Sequence, residues 1–224
     1  MPMPDNSNYF PLISEYSLFD AAILANGDYP THAIPQTILH RTRPLVCCDG
    51  AGSEAISRGL MPTAIIGDGD SCPNDVKSAY AHLFHQVEEQ DDNDLTKATR
   101  YTLERLLSTA HKAKIAYLAT TGKREDHTLG NIALMVRYYR QYHIIPTLIT
   151  DYGNFTIAQD TSLFETYPRQ RISIFNLSCS SLSGEGLRWP PYPFQEYWQG
   201  TLNEALGDQV TIHANGLYMI FRNW

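Results

Sequence analysis

Five short apolar runs punctuate the first two thirds of the chain, each closing on Gly, Asp or Thr: "AAILANG", "PLVCCDG", "TAIIGD", "KIAYLAT" and "PTLITD". Continuous apolar runs of this length, bounded by turn residues, read as buried strands. Helical spacing fills the gaps between them. "NDVKSAYAHLFHQ" sets Val76, Tyr80, Leu83 and Phe84 on one face, and "NDLTKATRYTLERLLSTA" does the same with Leu95, Leu103, Leu106 and Leu107. A third helix runs through "LGNIALMVRYYRQY". Strands alternating with helices imply an α/β domain: a mostly parallel, Rossmann-like sheet with flanking helices, whose ligands sit beyond the carboxyl ends of the strands.

The pattern changes near position 150. "NFTIAQDTSLFETYPRQRISIFNLSCSSLSGEGLRW" carries short Thr/Ile/Phe-rich pieces divided by Ser, Gly and Pro, which predicts antiparallel β structure. In "DQVTIHANGLYMIFR" two β-rich runs flank "ANG", a hairpin signal, and "WPPYPF" must be a loop or edge segment. The expected organisation is an α/β catalytic domain over residues 1–150 and a smaller, all-β, sandwich-like domain over residues 151–224.

Composition narrows the function. The 224 residues are 43% hydrophobic, and 17 basic against 24 acidic residues leave a formal charge of -7, unsuited to a nucleic-acid backbone. The first twenty residues lack a basic, then apolar, leader pattern, and no segment approaches the roughly 20 apolar residues that span a bilayer, so a cytoplasmic protein without membrane or nucleic-acid partners is expected. Cys47, Cys48, Cys72 and Cys179 show no C-x-x-C spacing and read as buried or incidental thiols.

The candidate chemistry is acidic. In "IIGDGDS", Asp68 and Asp70 emerge just past a strand, and their i, i+2 relation aims both carboxylates one way. A hard divalent cation relieves that repulsion; the plainer alternative is a solvated turn. "EEQDDNDLTKA" sets Glu88, Glu89, Asp91, Asp92 and Asp94 before a helix that Asn93 or Asp94 caps. Capping accounts for one or two of these acids, not five, and Lys97 follows one turn later to meet an acid or a phosphate. In "LATTGKREDHTLGN" a Gly-containing turn joins strand to helix and offers backbone N–H groups to an anion, with Lys123 and Arg124 supplying charge. The P-loop spacing is absent. Arg124 paired with Glu125 or Asp126 on the surface is the plainer reading there, and His127, like the helical His82 and His85, reads as a structural histidine rather than a metal ligand.

Taken in order, "GDGDS", "EQDDNDLTKA" and "GKREDHTLGN" resemble the thiamine pyrophosphokinase family, and "SGEGLRW" resembles that family's segment ending in G-L-x-W. The resemblance implies magnesium held by Asp68, Asp70 and Asp94. It places ATP against Asp49, Ser71, Gln90, Asp91, Lys97, Arg124, Asp126, His127 and Asn131, and thiamine against Ser183 and Trp189. The sequence departs from the family pattern at Glu89, usually aspartate; at Asn93, usually threonine; at Lys123, usually glycine; and at Leu202, often serine.

The implied reaction moves the terminal diphosphate of ATP to the hydroxyethyl oxygen of thiamine and releases AMP. Lys97 and Arg124 would offset charge on the transferring group, and Asp68 or Asp126 would accept the alcohol proton. An aromatic face beside an acidic mouth suits thiamine's thiazolium and aminopyrimidine, a role for Trp189, although a tryptophan in a β domain is ordinarily core. The family also implies a homodimer. Two alternatives use parts of the pattern: a nucleotide-sugar glycosyltransferase with a D-x-D metal pair, and a non-catalytic sensor of thiamine or its diphosphate.

Overall fold

Every residue of the second, third and fourth strands is buried, so apolar runs without polar alternation have both faces covered, as a parallel sheet demands. A computed structural model of the chain describes residues 8–70, 72–87, 89, 91–107 and 112–224. It divides into two units, Glu15–Asp151 and a second that joins residues 8–14 to Tyr152–Trp224. Strand β1 (Tyr9–Phe10) belongs to the second. The first unit runs β2 (Ala21–Leu24), α1 (Ala33–Arg41), β3 (Leu45–Cys48), α2 (Gly50–Ser57), β4 (Ala64–Gly67), α3 (Asn74–Ala79), β5 (Phe84–Gln86), α4 (Asp94–Tyr101), β6 (Lys114–Leu118), α5 (Glu125–Gln141) and β7 (Ile145–Thr150).

Its strands lie in the order β7-β6-β2-β3-β4-β5, every neighbouring pair parallel. From β2 the chain steps outward through β3, β4 and β5, then returns to place β6 on the other side of β2. The order therefore reverses at β2 and β6, and open parallel sheets bind their ligands beyond the carboxyl ends of the strands at such a reversal. Asp49 directly follows β3 and Asp68 directly follows β4, while the turn holding Lys123 and Arg124 follows β6.

Two expected helices change form. The helix expected over residues 74–86 stops at Ala79; a 3-10 turn, Ala81–Leu83, then leads into β5, whose Phe84, His85 and Gln86 pair with Ile65, Ile66 and Gly67. No residue of α3 is buried, so pairing with an open sheet edge outweighs the helical periodicity, and His85 is a strand residue. Helix α4 widens after Tyr101 into a π-type turn, Thr102–Leu106. Helices α1 and α2 were not predicted.

The second unit continues with β8 (Gly153–Gln159), β9 (Ser162–Glu165), β10 (Arg171–Asn176), β11 (Leu182–Glu185), β12 (Asn203–Glu204), β13 (Gln209–Ala214) and β14 (Leu217–Asn223). Its strands form two groups, β1-β9-β13-β11 and β12-β10-β14-β8, antiparallel except for β1 beside β9. Both feed one core through Phe164, Ile172, Ile174, Val210, Ile212 and Ile220. The expected "ANG" hairpin is not one. Strand β13 pairs with β9 and β11 while β14 pairs with β8 and β10, so the Asn215–Gly216 link carries the chain from one group to the other. The Asn215 carboxamide oxygen fixes that corner by accepting from the Ser180 and Ser181 N–H groups at 3.0 and 2.9 Å.

Residues 8–14, expected with the first domain, join the second unit because Phe10 pairs with Phe164 across β1 and β9, their rings stacked at 4.9 Å. The result is a mixed α/β fold of two units. Among the described residues no helix is long and apolar enough to cross a membrane.

Candidate active site

At the carboxyl end of β3, Asp49 is buried and holds a backbone of φ 32°, a left-handed value seldom adopted by a non-glycine residue. It lies directly over Gly67, where a Cβ would meet the Asp49 Cβ at 2.7 Å; only glycine ends β4 without displacing this carboxylate. Asp68 follows, accepting the Asp70 N–H at 3.1 Å. The third acid comes from α4, whose cap is Asn93: its side-chain oxygen accepts from the Thr96 N–H at 3.0 Å and leaves Asp94 as the first helical residue.

Burial pushes the Asp94 carboxyl above its usual range; Lys97, 3.6 Å from Asp94 Oδ1, opposes the rise, and the negative charges of Asp49 and Asp68 add to it. Asp49, Asp68 and Asp94, from three separate connections, thus share one electrostatic neighbourhood. Asp70 does not enter it: the side chain is exposed, and its described link is the backbone bond to Asp68. Among the described residues no three His, Cys, Asp or Glu side chains are grouped to hold a metal ion by themselves.

Lys97 is 4% exposed and donates to the Val87 carbonyl at 3.3 Å. The neighbouring acids divide. Glu89 pairs with Arg100 at 2.5 Å, and Asp92 pairs with Arg137 at 2.6 Å and Arg100 at 3.7 Å, so two carboxylates expected to exceed structural need instead brace α4 and α5. Asp91 is exposed, whereas Glu88, Ser71 and Gln90 lie outside the described residues.

The hydrogen bond from Arg137 holds the Asp92 carboxyl below its usual range. A group depressed on folding adds stability above its unfolded value, near 3.9, and loses it as pH falls through the lower folded value. Asp92→Asn is therefore expected to lower urea-unfolding stability at pH 7 and to flatten its fall between pH 5 and pH 3. Superimposable pH profiles would show that the pair carries no folding energy.

Beyond β6, Lys123 holds φ 57° and Gly122 holds φ 83°, so the basic turn keeps a glycine-like backbone even where lysine stands. Asn131 on α5 secures this turn by donating to the Thr120 carbonyl at 2.8 Å, and the Lys123 ammonium reaches Asn26 Oδ1 at 3.2 Å. Arg124 pairs with Asp126 at 2.5 Å, the surface ion pair weighed as the plainer reading; both side chains are exposed. That pairing holds Asp126 below the usual carboxylate range, helped by the His127 N–H, while the His127 side chain is exposed.

In the second unit Trp189 is not a core residue: 52% exposed, it lines a cavity of about 340 Å³ with Tyr192, Phe194, Leu202 and Asn203. Asn203 clasps its backbone, accepting from Trp189 N at 3.2 Å and donating to Trp189 O at 2.7 Å. The Arg188 guanidinium lies 4.9 Å from the indole centroid. Ser183 is exposed on β11 opposite His213 and does not line this cavity.

Two family models match the chain: the thiamin pyrophosphokinase catalytic domain over residues 36–146 and the thiamin pyrophosphokinase substrate-binding domain over residues 153–221. The chain belongs to the thiamin pyrophosphokinase family. Solved thiamin pyrophosphokinases share its fold. The Bacillus subtilis enzyme matches with TM-score 0.74 at 21% identity, covering 91% of this chain and 98% of its own. The Candida albicans enzyme matches with TM-score 0.76 at 14% identity, covering 100% and 95%, and the yeast enzyme with TM-score 0.76 at 15%, covering 97% and 92%. No curated protein matches the sequence.

Within this thiamin pyrophosphokinase fold, three side chains, two in the first unit and one in the second, escaped the sequence reading. Asp28, after β2, packs so closely that a Cβ on Gly122 would meet its Oδ2 at 2.0 Å; the Lys77 ammonium would lie 2.9 Å from a Cβ on Gly69; and Asn203 holds Trp189. Only Asn203 left a signal, standing next to the Leu202 departure.

Proposed function

We propose that the protein is a thiamine diphosphokinase, a magnesium-dependent transferase that moves diphosphate from ATP to the hydroxyethyl group of thiamine and releases AMP. The observation that carries this reading is the placement of Asp49 and Asp68 at the carboxyl ends of the parallel strands β3 and β4 and of Asp94 at the start of α4, 3.6 Å from the buried Lys97; the raised Asp94 carboxyl is consistent with their crowding. Carboxylates crowded at the carboxyl ends of parallel strands suit a hard cation, and magnesium needs only one or two of them, the rest of its shell being water and phosphate oxygen. Asp68 and Asp94 would hold it, with Asp70 at the exposed rim. When bound, it supplies charge neutralisation and polarisation at the phosphates.

The chain's own side chains do the remaining work. Lys97, desolvated, presents a fixed positive charge whose effect is strengthened by exclusion of water. Arg124 lies at the start of α5 with its planar fork engaged by Asp126, an exposed pair that phosphate oxygens can compete for. Ser71, Gln90, Asp91, Asp126, His127 and Asn131 complete the proposed nucleotide contacts; Asn131 acts by holding the turn that carries Lys123 and Arg124. Asp68 or Asp126 would accept the proton of the thiamine hydroxyl; the Arg124 pairing that holds Asp126 below the usual carboxylate range weakens it as an acceptor while that pair is intact. Trp189 offers its face to the thiamine rings, and Ser183 is the second proposed contact. The Rossmann-like and sandwich-like descriptions of the two units, the assignment of catalysis and thiamine recognition between them, the homodimer and the cytoplasmic location belong to the same proposal.

The test is AMP release from ATP by the purified protein with magnesium and thiamine. Turnover that needs all three supports the assignment. Thiamine binding without AMP release makes the protein a sensor.

A further inference from the structure

The turn that carries Asp68 and Asp70 lies against a lysine from α3. Gly69 holds φ 85°, a left-handed value, and a Cβ there would meet the Lys77 Nζ at 2.9 Å and its Cε at 3.1 Å, so the ammonium rests on the backbone between the two acids. The intervening chain fixes it there. Cys72 is buried with its thiol 2.9 Å from the Ser53 hydroxyl of α2, its N–H donates to the Gly69 carbonyl at 3.4 Å, and Lys77 N donates to the Pro73 carbonyl at 3.0 Å as α3 begins.

Among the described residues the Lys77 side chain makes no hydrogen bond or ion pair. The acids nearest it along the chain are Asp68 and Asp70 of the turn and Asp75 on its own helix. Lys97 is placed differently, 3.6 Å from Asp94 Oδ1. Of these two lysines, Lys77 is therefore the uncommitted one. A fixed positive charge beside carboxylates acts in two opposite ways. It offsets their repulsion and so competes with a divalent cation for them; when the cation arrives with a polyphosphate, the incoming ligand is a net anion and the same charge attracts it.

We infer that Lys77 couples the two ligands of the acidic mouth: its ammonium weakens binding of a bare divalent cation beside the Asp68–Asp70 turn and strengthens binding of the same cation carrying a polyphosphate. This coupling rests on the cation's place at Asp68 and Asp94 in the proposed function and not on turnover. It makes the site selective for a metal–polyphosphate complex over either metal or carboxylate-binding cation alone.

The test uses Mn2+, alone and as its complex with inorganic tripolyphosphate, titrated into the full chain, with bare Mn2+ followed by electron paramagnetic resonance and the complex by calorimetry. Lys77→Met is expected to bind bare Mn2+ about fivefold more tightly than wild type and Mn2+–tripolyphosphate about fivefold more weakly. Lys77→Arg keeps the charge and is expected to stay within about twofold of wild type in both titrations. No residue of α3 is buried, so both variants should keep the wild-type circular dichroism spectrum. Shifts of the same sign in the two titrations of Lys77→Met, or no shift in either, overturn the inference, and with AMP release intact they leave the proposed function standing. Wild-type protein that binds neither probe overturns it together with the cation site of that function.

Discussion

Asp94→Asn is expected to abolish diphosphate transfer, by about 10³-fold or more, while the thermal midpoint stays equal to or above that of the wild type. The kinetic loss follows from removing a charge that offsets cation and phosphate, a matter of several kcal/mol in such sites. The stability has the opposite sign. Burial and the charges of Asp49 and Asp68 raise this carboxyl above its unfolded value despite Lys97, so ionised Asp94 opposes folding at every pH above that window. Asparagine keeps the shape and removes the repulsion. Thermal unfolding monitored by circular dichroism, beside the AMP-release rate, separates the two effects. A variant that loses stability and activity together would make Asp94 a structural acid held by Lys97.

Trp189→Ala is expected to raise the KM for thiamine about tenfold and to leave the KM for ATP within twofold. Loss of a stacking and cation–π face is worth roughly 0.5–2 kcal/mol, and the 52% exposure of the side chain spares the core. Asn203→Ala should reproduce part of this effect without touching the indole, because two of its three side-chain hydrogen bonds go to the Trp189 backbone, the third being accepted from the Glu204 N–H. Initial rates with each substrate varied in turn distinguish the outcomes. A shift confined to ATP would detach Trp189 from the acceptor site.

Five of the six parallel strands of the first unit were legible because each carries an apolar run that stops at a turn residue, and burial of both faces of the sheet is the cause of that pattern in β2, β3 and β4. The acids at their ends were legible for the same reason: Asp49 and Asp68 mark where β3 and β4 leave the core. Helices α1 and α2 were not, since α1 begins without an acidic first turn and α2 contains two glycines and opens on the buried Asp49 rather than on a side-chain cap. Phe84 to Gln86 carried a helical period yet formed β5, because an open sheet edge offered hydrogen bonds that local spacing does not encode. Asn215–Gly216 had the chemistry of a hairpin turn, but whether two strands pair with each other or each with a different group depends on distant partners such as Leu163 and Ile157. In the candidate site the acidic residues were visible and their division of labour was not: Glu89 and Asp92 serve Arg100 and Arg137, arginines that enter from positions no motif marked.

The central claim is that carboxylates from separate connections converge on a cation carrying a polyphosphate, and a crystal structure with magnesium and a nonhydrolysable ATP analogue tests it most directly. The expected result is magnesium at about 2.0–2.1 Å from carboxylate oxygens of Asp68 and Asp94, with the polyphosphate reaching Lys97 and Arg124. A polyphosphate seated away from the ends of β3 and β4, with Asp68 and Asp94 touching neither metal nor phosphate, would contradict it.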